Sequence, residues 1–339
     1  MSIRLWLAFI FRVSDNESPM VVLSDIRAAR SRLEGIATRT RLIEFAHSES
    51  NARRLFLKPE NQQPVGAFKL RGAYNKIASL SPEDRKRGVI SYSSGNHAQG
   101  VAYAARALGV KAVIVMPDNA PPIKREATAA LGAEIVVVGP GSAERQIKAE
   151  KLAAQHGYVI VPPYNDEQIV AGQGTMGLEI LEDLPEVEAV FAPVGGGGMI
   201  SGVAAAIKLS KPSTKVIGVE PELAGDAQAS LRAGKIVHFP AEEVSRTIAD
   251  GLRTQSIGSI NFEHIRRYVD DIVTVSEGEI RRAVRLLASN PATVAEPSGA
   301  VAVAGFLFRS DQLPKTKFNV AIISGGNIDP AVLEEICQK

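Results

Sequence analysis

Residues 189–203, Ala189-Val190-Phe191-Ala192-Pro193-Val194-Gly195-Gly196-Gly197-Gly198-Met199-Ile200-Ser201-Gly202-Val203, decide the fold. The apolar run Ala189–Val194 has the length of a buried strand, and Ile200–Leu209 has the apolar spacing of a helix. Four glycines and Met199 stand between them. Glycines let the chain turn sharply and aim successive N–H groups at one point, and the positive end of the following helix adds to them. Together they make an anion cradle suited to a phosphate. A nucleotide P-loop would end in Gly-Lys-Ser/Thr, and a dinucleotide fold would show GxGxxG with a later acidic ribose partner; neither is present here. Taken alone, the loop also fits a plain flexible connection.

The same alternation extends to both sides. Apolar, β-branched runs recur at Leu55–Lys58, Gly88–Tyr92, Ala112–Met116, Glu134–Val138, Tyr158–Val161, Lys215–Val219, Asp271–Val275 and Phe318–Ile323. Between them lie stretches with helical spacing, such as Gly100–Leu108 and Glu277–Ala288. This pattern predicts an α/β fold of mostly parallel strands with helices on both faces. In such sheets ligands sit at the carboxyl ends of the strands. Polar, glycine-rich clusters fall at those ends: Ser93-Ser94-Gly95-Asn96-His97, Gly195–Gly198 and Ser324-Gly325-Gly326-Asn327.

Composition narrows the function classes. The 339 residues carry a formal charge of +2, which gives no polybasic surface for nucleic acid and no acidic tail. The one cysteine, Cys337, excludes a disulfide framework or a CxxC metal site within the chain. A reducing, cytoplasmic setting is expected. Leu5–Phe11 is an apolar run between Arg4 and Arg12, too short to cross a bilayer and without the long core and cleavage site of a secretory signal. No membrane partner is expected. Residues 1–19 are read as a poorly ordered extension or a start-site artefact, with Met20 as the functional start.

Two further loops bear chemistry. Pro64-Val65-Gly66-Ala67-Phe68-Lys69-Leu70-Arg71-Gly72-Ala73 places one lysine at a helix start among small and apolar neighbours. Partial desolvation lowers a lysine's pKa and frees the neutral amine for a Schiff base, although a lysine taken singly is more often a solvated surface group. Ser91–Gly100 is another strand–loop–helix junction, whose hydroxyls, amide and N–H groups suit a carboxylate. Alone, His97 would be structural and Ser93 or Ser94 a helix cap. Three such loops in one chain are hard to explain that way.

The series resembles the serine/threonine dehydratase and serine racemase family of fold-type II enzymes that use pyridoxal 5′-phosphate (PLP). The likeness runs from about residue 25 to the C-terminus. It rests on Gly66–Ala73, Ser93–Gly100, Ala171-Gly172-Gln173-Gly174-Thr175, Pro193–Met199, Glu296-Pro297-Ser298-Gly299-Ala300 and Ser324–Asp329. The usual family form has serine where this chain has Ala67, which leaves the lysine untouched. The resemblance implies two open twisted sheets like those of the tryptophan synthase β chain. Residues 20–86 and 164–339 would form a large PLP-binding domain, and residues 87–163 a small one. It implies that Lys69 carries PLP covalently and abstracts the Cα proton. Asn96 would bond the cofactor's 3′-oxygen, Gly195, Gly196, Gly197, Gly198 and Met199 its phosphate, and Ser324 its pyridine nitrogen. Ser94 would serve the ring face opposite the lysine, and Ser93, Ser94, Asn96 and His97 would meet the substrate.

A neutral serine at the pyridine nitrogen favours elimination over transamination. The expected reaction takes water and ammonia from L-threonine, L-serine or a relative such as 3-hydroxyaspartate; a serine-type racemase with side dehydratase activity is the alternative. Glu220-Pro221-Glu222-Leu223-Ala224-Gly225-Asp226 resembles a divalent-cation loop of the racemase branch. Glu220, Asp226 and the Ala224 carbonyl would hold Mg²⁺ or Ca²⁺, with an acidic surface turn as the other reading. With only a short helix expected after the Ser324 block, the chain looks like a catabolic or racemase-type member. The resemblance also implies a homodimer.

Overall fold

The computed structural model describes residues 20–48, 52–120, 122–139 and 141–338. The reading of residues 1–19 therefore lies outside the described residues. Among those described, the strands are β1 (Ile43–Phe45), β2 (Arg54–Pro59), β3 (Val89–Tyr92), β4 (Ala112–Pro117), β5 (Glu134–Val138), β6 (Val159–Ile160), β7 (Ala189–Pro193), β8 (Lys215–Pro221), β9 (Asp271–Val275) and β10 (Phe318–Ile323). They form a larger sheet in the order β1-β2-β10-β7-β8-β9 and a smaller one in the order β5-β4-β3-β6. Every pairing is parallel except that of β1 with β2. The nine runs expected from the sequence all form strands, with ends moved by one or two residues. The strand not foreseen, β1, is a three-residue edge strand, too short to leave a period.

The central strands are apolar throughout because both their faces are covered. Along β7, Ala189 and Phe191 join Leu55, Leu57, Ala321 and Ile323 in a core with helix Pro297–Phe308. Val190 and Ala192 point the other way, into a core with Val320, Ile322 and helix Gly198–Ser210.

Glycines let three helices meet backbone to backbone. A Cβ on Gly172 would lie 2.6 Å from the Arg71 carbonyl oxygen, and one on Gly202 would run into that of Val170. Helix Lys69–Ala78 thus lies directly on helix Glu167–Asp183, and this on Gly198–Ser210. The block Ala171–Thr175 is a packing device. It fixes the helix that starts at Lys69 against the helix that starts at the glycine loop.

Candidate active site

The strand order sets the site. β10 lies between β2 and β7, so the loops after β10 and β7 open side by side at their carboxyl ends. The loop before Lys69 is stitched to the loop after β10. Phe68 N donates to Ser324 O at 3.1 Å, Gly326 N donates to Gly66 O at 2.9 Å, and Ala67 bridges Gly325. The turn needs Gly66, whose φ is +69°. Lys69 is the first residue of its helix, and its Nζ donates to Pro163 O at 2.8 Å. Loss of water around this partly covered amine lowers its pKa to about 8.

The smaller sheet delivers the second wall. Helix Asn96–Ala107 follows β3, and Gly100 lets it approach the Lys69 backbone: a Cβ there would lie 3.1 Å from the Lys69 carbonyl carbon. This brings His97 near Lys69, and Asn96 beside Gly325 and beside Ala67 in the loop before the lysine. Ser93 and Ser94 are half-buried. His97 is buried, and burial, then the charge of Lys69, push its pKa down to about 3. Neutral His97 donates its Nε2–H to Val161 O at 3.0 Å, so the ring has no second N–H to offer a carboxylate.

Gly195, Gly196 and Gly197 follow β7, and helix Gly198–Ser210 begins directly after them. Among the described residues, no acceptor takes the N–H groups of Gly195, Gly196 or Gly197. Gly197 has a φ of +92°, and a Cβ on Gly196 would run into the Tyr164 ring. Unpaired N–H groups beside a helix N-terminus fit a phosphate. Ser324 is 4% exposed and donates weakly to Ser298 O at 3.4 Å. The amine, the N–H cradle and the hydroxyl together fit PLP, which would be held by Lys69, Gly195–Met199, Asn96 and Ser324.

Two arrangements carry roles that the sequence did not reveal. Asn96 Nδ2 donates to Glu296 Oε1 at 2.5 Å, and Asn327 Nδ2 donates to Asn96 Oδ1 at 2.8 Å. Two residues after Lys69, Arg71 is 1% exposed and donates to Glu60 at 2.8 and 2.9 Å and to Glu179 at 2.7 and 2.9 Å. Lys58, also buried, completes this cluster through Glu179 at 2.5 Å. Burial alone would raise the Glu60 pKa, but the Arg71 charge and hydrogen bonds hold it below the usual carboxylate range. Glu296, Asn327 and Arg71 lay within the quoted blocks, yet one sequence gives no sign of what a side chain touches.

The segment Glu220–Asp226, expected from the resemblance to hold a cation, begins at the end of β8. Glu220 and Asp226 are both fully buried. The Glu220 carboxylate accepts from Ala227 N at 3.0 Å and Gln228 N at 2.8 Å, while neither Asp226 oxygen has a hydrogen-bond partner. Burial raises the Asp226 pKa to about 7. Burial and the nearby Asp226 raise that of Glu220. Asp226 holds the bare oxygens of this pair, and a buried carboxylate without a partner, beside a second carboxylate, fits a hard cation. Among the described residues no group of three or more His, Cys, Asp or Glu side chains could hold a metal, so carbonyl and water ligands would be needed.

The comparisons agree with this geometry. The family described as "Pyridoxal-phosphate dependent enzyme" matches residues 33–325. The chain belongs to that family, in its serine/threonine dehydratase and racemase branch, and has the fold of the type II PLP enzymes. It is 46% identical over 321 residues to an L-threonine ammonia-lyase of Thermotoga maritima, covering 94% of this chain and 79% of that one. It is 45% identical over 275 residues to an L-threo-3-hydroxyaspartate ammonia-lyase of Saccharomyces cerevisiae, covering 81% and 83%. The solved structure of maize serine racemase superposes with a TM-score of 0.88 at 35% identity, covering 94% and 97%. No described helix is long and apolar enough to cross a membrane.

Proposed function

We infer that the chain is a PLP-dependent ammonia-lyase of the dehydratase type. It converts a small β-hydroxy amino acid (L-threonine, L-serine or a relative such as 3-hydroxyaspartate) to a 2-oxo acid and ammonia. The observation that carries this reading is Lys69, whose amine donates to Pro163 O beside Tyr164, the ring that packs on Gly196 of the N–H cradle, while the preceding Phe68 N donates to Ser324 O. When bound, PLP supplies the electron sink that lets the Cα proton of an amino acid leave. Lys69 would hold the cofactor through Nζ, and its free amine would take the Cα proton of the substrate. The N–H groups of Gly195–Met199 would bind the phosphate, Asn96 would meet the 3′-oxygen, and Ser324 would meet the pyridine nitrogen. Ser93, Ser94 and Asn96 receive the substrate, with neutral His97 behind them. A Ser324 hydroxyl would not enforce a positive charge on the ring, which would favour loss of the β-hydroxyl as water, with the Cα proton taken by Lys69 available to it. The released enamine tautomerises and hydrolyses to the 2-oxo acid and ammonia. Incubation with a panel of β-hydroxy amino acids, reading 2-oxo acid and chirality together, tests the reading. Formation of 2-oxo acid from at least one L-substrate is expected; inversion without elimination would replace the reading with a racemase.

The racemase alternative has one observation in its favour. Ser94 is half-buried at the start of the helix that packs on Lys69, where it could serve a second face, and the fold is that of maize serine racemase. Ser94→Ala is expected to remove any racemisation while L-substrate elimination falls by less than about tenfold, because only the lysine face loses a proton there. Equal loss of both activities would show that Ser94 serves the leaving group or the substrate carboxylate.

We also assign Glu220, Asp226 and the Ala224 carbonyl to a structural Mg²⁺ or Ca²⁺. Asp226 moves from 3.8 to about 7 on folding. Its contribution to stability is therefore complete below pH 3.8 and lost as the pH rises to about 7. Chelator-treated protein should melt lower at pH 8 than at pH 6, and added Mg²⁺ or Ca²⁺ should close the gap by binding the folded state. Asp226→Asn should abolish the metal response. Identical melting with chelator and with either cation would leave an ordinary buried acidic pair. A cytoplasmic homodimer, with residues 87–163 as a small domain, completes the proposal; sedimentation of the purified chain tests its dimeric state.

A further inference from the structure

The Asn96 amide is held in one orientation by bonds that begin at a backbone carbonyl. Val65 O can only accept, so the Asn327 atom 2.9 Å away is the amide nitrogen. The same nitrogen lies 2.8 Å from Asn96, which puts Asn96 Oδ1 on that side. Asn96 Nδ2 then faces Glu296, 2.5 Å from Oε1. One side-chain N–H of Asn96 goes to Glu296, which leaves the other as the amide's remaining donor.

Glu296 occupies the N-cap of helix Pro297–Phe308, yet its side chain makes no capping bond and turns to Asn96 instead. It is 3% exposed, and its backbone N donates to Gly325 O at 3.1 Å. A Cβ on Gly325 would lie 2.5 Å from Glu296 Oε1 and 3.0 Å from Asn96 Nδ2, so glycine is needed to leave that contact room. The charges acting on Glu296 come from both sheets. Asp250, between β8 and β9 of the larger sheet, disfavours its ionisation; Lys124, in the helix after β4 of the smaller sheet, favours it. These two groups pair with each other at 2.5 Å, making an ion pair that joins the two sheet systems. Burial first, then Asp250, raise the Glu296 pKa to about 7.

We propose that Glu296 is a positioning residue, which fixes the free Asn96 N–H toward the cofactor's 3′-oxygen and carries a proton whose presence depends on the Lys124–Asp250 pair. The inference rests on the reading of Asn96 as the partner of that oxygen. Ionised Glu296 strengthens its bond to Asn96 and places a negative charge near the ring oxygen. Protonated Glu296 leaves the Asn96 bond in place and removes that charge.

The test is the visible spectrum of the PLP-loaded protein from roughly pH 5.5 to 8.5, which reports the ionisation of the cofactor ring. The native chain should show a transition with its midpoint near 7. Glu296→Gln keeps an oxygen that accepts from Asn96, so the protein should stay coloured and lose the transition. Glu296→Ala releases Asn96 and should weaken PLP binding about tenfold. Lys124→Met should move the midpoint up, and Asp250→Asn should move it down. A merely structural glutamate would leave all these midpoints alone. The same midpoint in Glu296→Gln, or native PLP affinity in Glu296→Ala, would overturn the inference while PLP binding stands. A native chain that takes up no PLP at all would overturn the functional reading itself.

Discussion

Lys69→Ala is expected to yield a folded, colourless protein whose turnover has fallen on the order of 10⁴-fold or more. Two tasks disappear with one side chain: holding the cofactor and moving the Cα proton. Lys69→Arg should fail equally, because a guanidinium stays protonated and offers no free amine. The fold should not suffer, since the lysine's recorded bond is a single one to the Pro163 carbonyl and burial disfavours its charge. In PLP-free protein, the variant should therefore melt at or above the native temperature. Turnover by the alanine variant within about tenfold of native would mean that another base performs the chemistry.

Arg71→Met is expected to cost about 3–5 kcal/mol of stability, the usual penalty for leaving a buried ionic partner uncompensated. Here Glu60 and Glu179 would share the single charge of Lys58 in a buried site. The change should appear as a shifted denaturation midpoint, and PLP binding should weaken with it, because Arg71 lies one half-turn from Lys69 on the same helix. The exposed pair Arg30–Glu182 provides the contrast: Arg30→Ala should cost less than about 1 kcal/mol. The Glu60 pKa is held below 4.5, so its contribution is present above that pH and lost as the pH falls through the lower, folded-state value. Equal costs for Arg71 and Arg30 would show that the buried cluster is not what anchors the lysine helix.

How far the sequence could be read depended on whether the signal was local. Strands such as β7 and β10 are apolar at every position because they are covered on both sides, and this survives in the sequence as an unbroken run. The glycine loop was legible for the same reason: a strand, a turn and a helix lie in one stretch. Strand β1 was missed because its three residues owe their extended form to pairing with β2. The Ala171–Thr175 block was recognisable only by resemblance, and its physical basis is a backbone crossing with Gly72 and Gly202 on other helices. The Glu296–Asn96–Asn327 chain and the Lys58–Glu60–Arg71–Glu179 cluster join residues up to 231 positions apart. No spacing rule reaches that far, and burial alone tells a paired carboxylate from a solvated one.

The most direct test of the account is to trap the cofactor where it sits. The PLP-loaded protein is treated with borohydride, digested, and its peptides weighed. The phosphopyridoxyl group should be found on Lys69, with the native chain losing its yellow colour as it is fixed there. Attachment to Lys58, Lys76 or any other lysine, or recovery of the Lys69 peptide unmodified after PLP loading, would contradict the assignment from which the proposed chemistry is built.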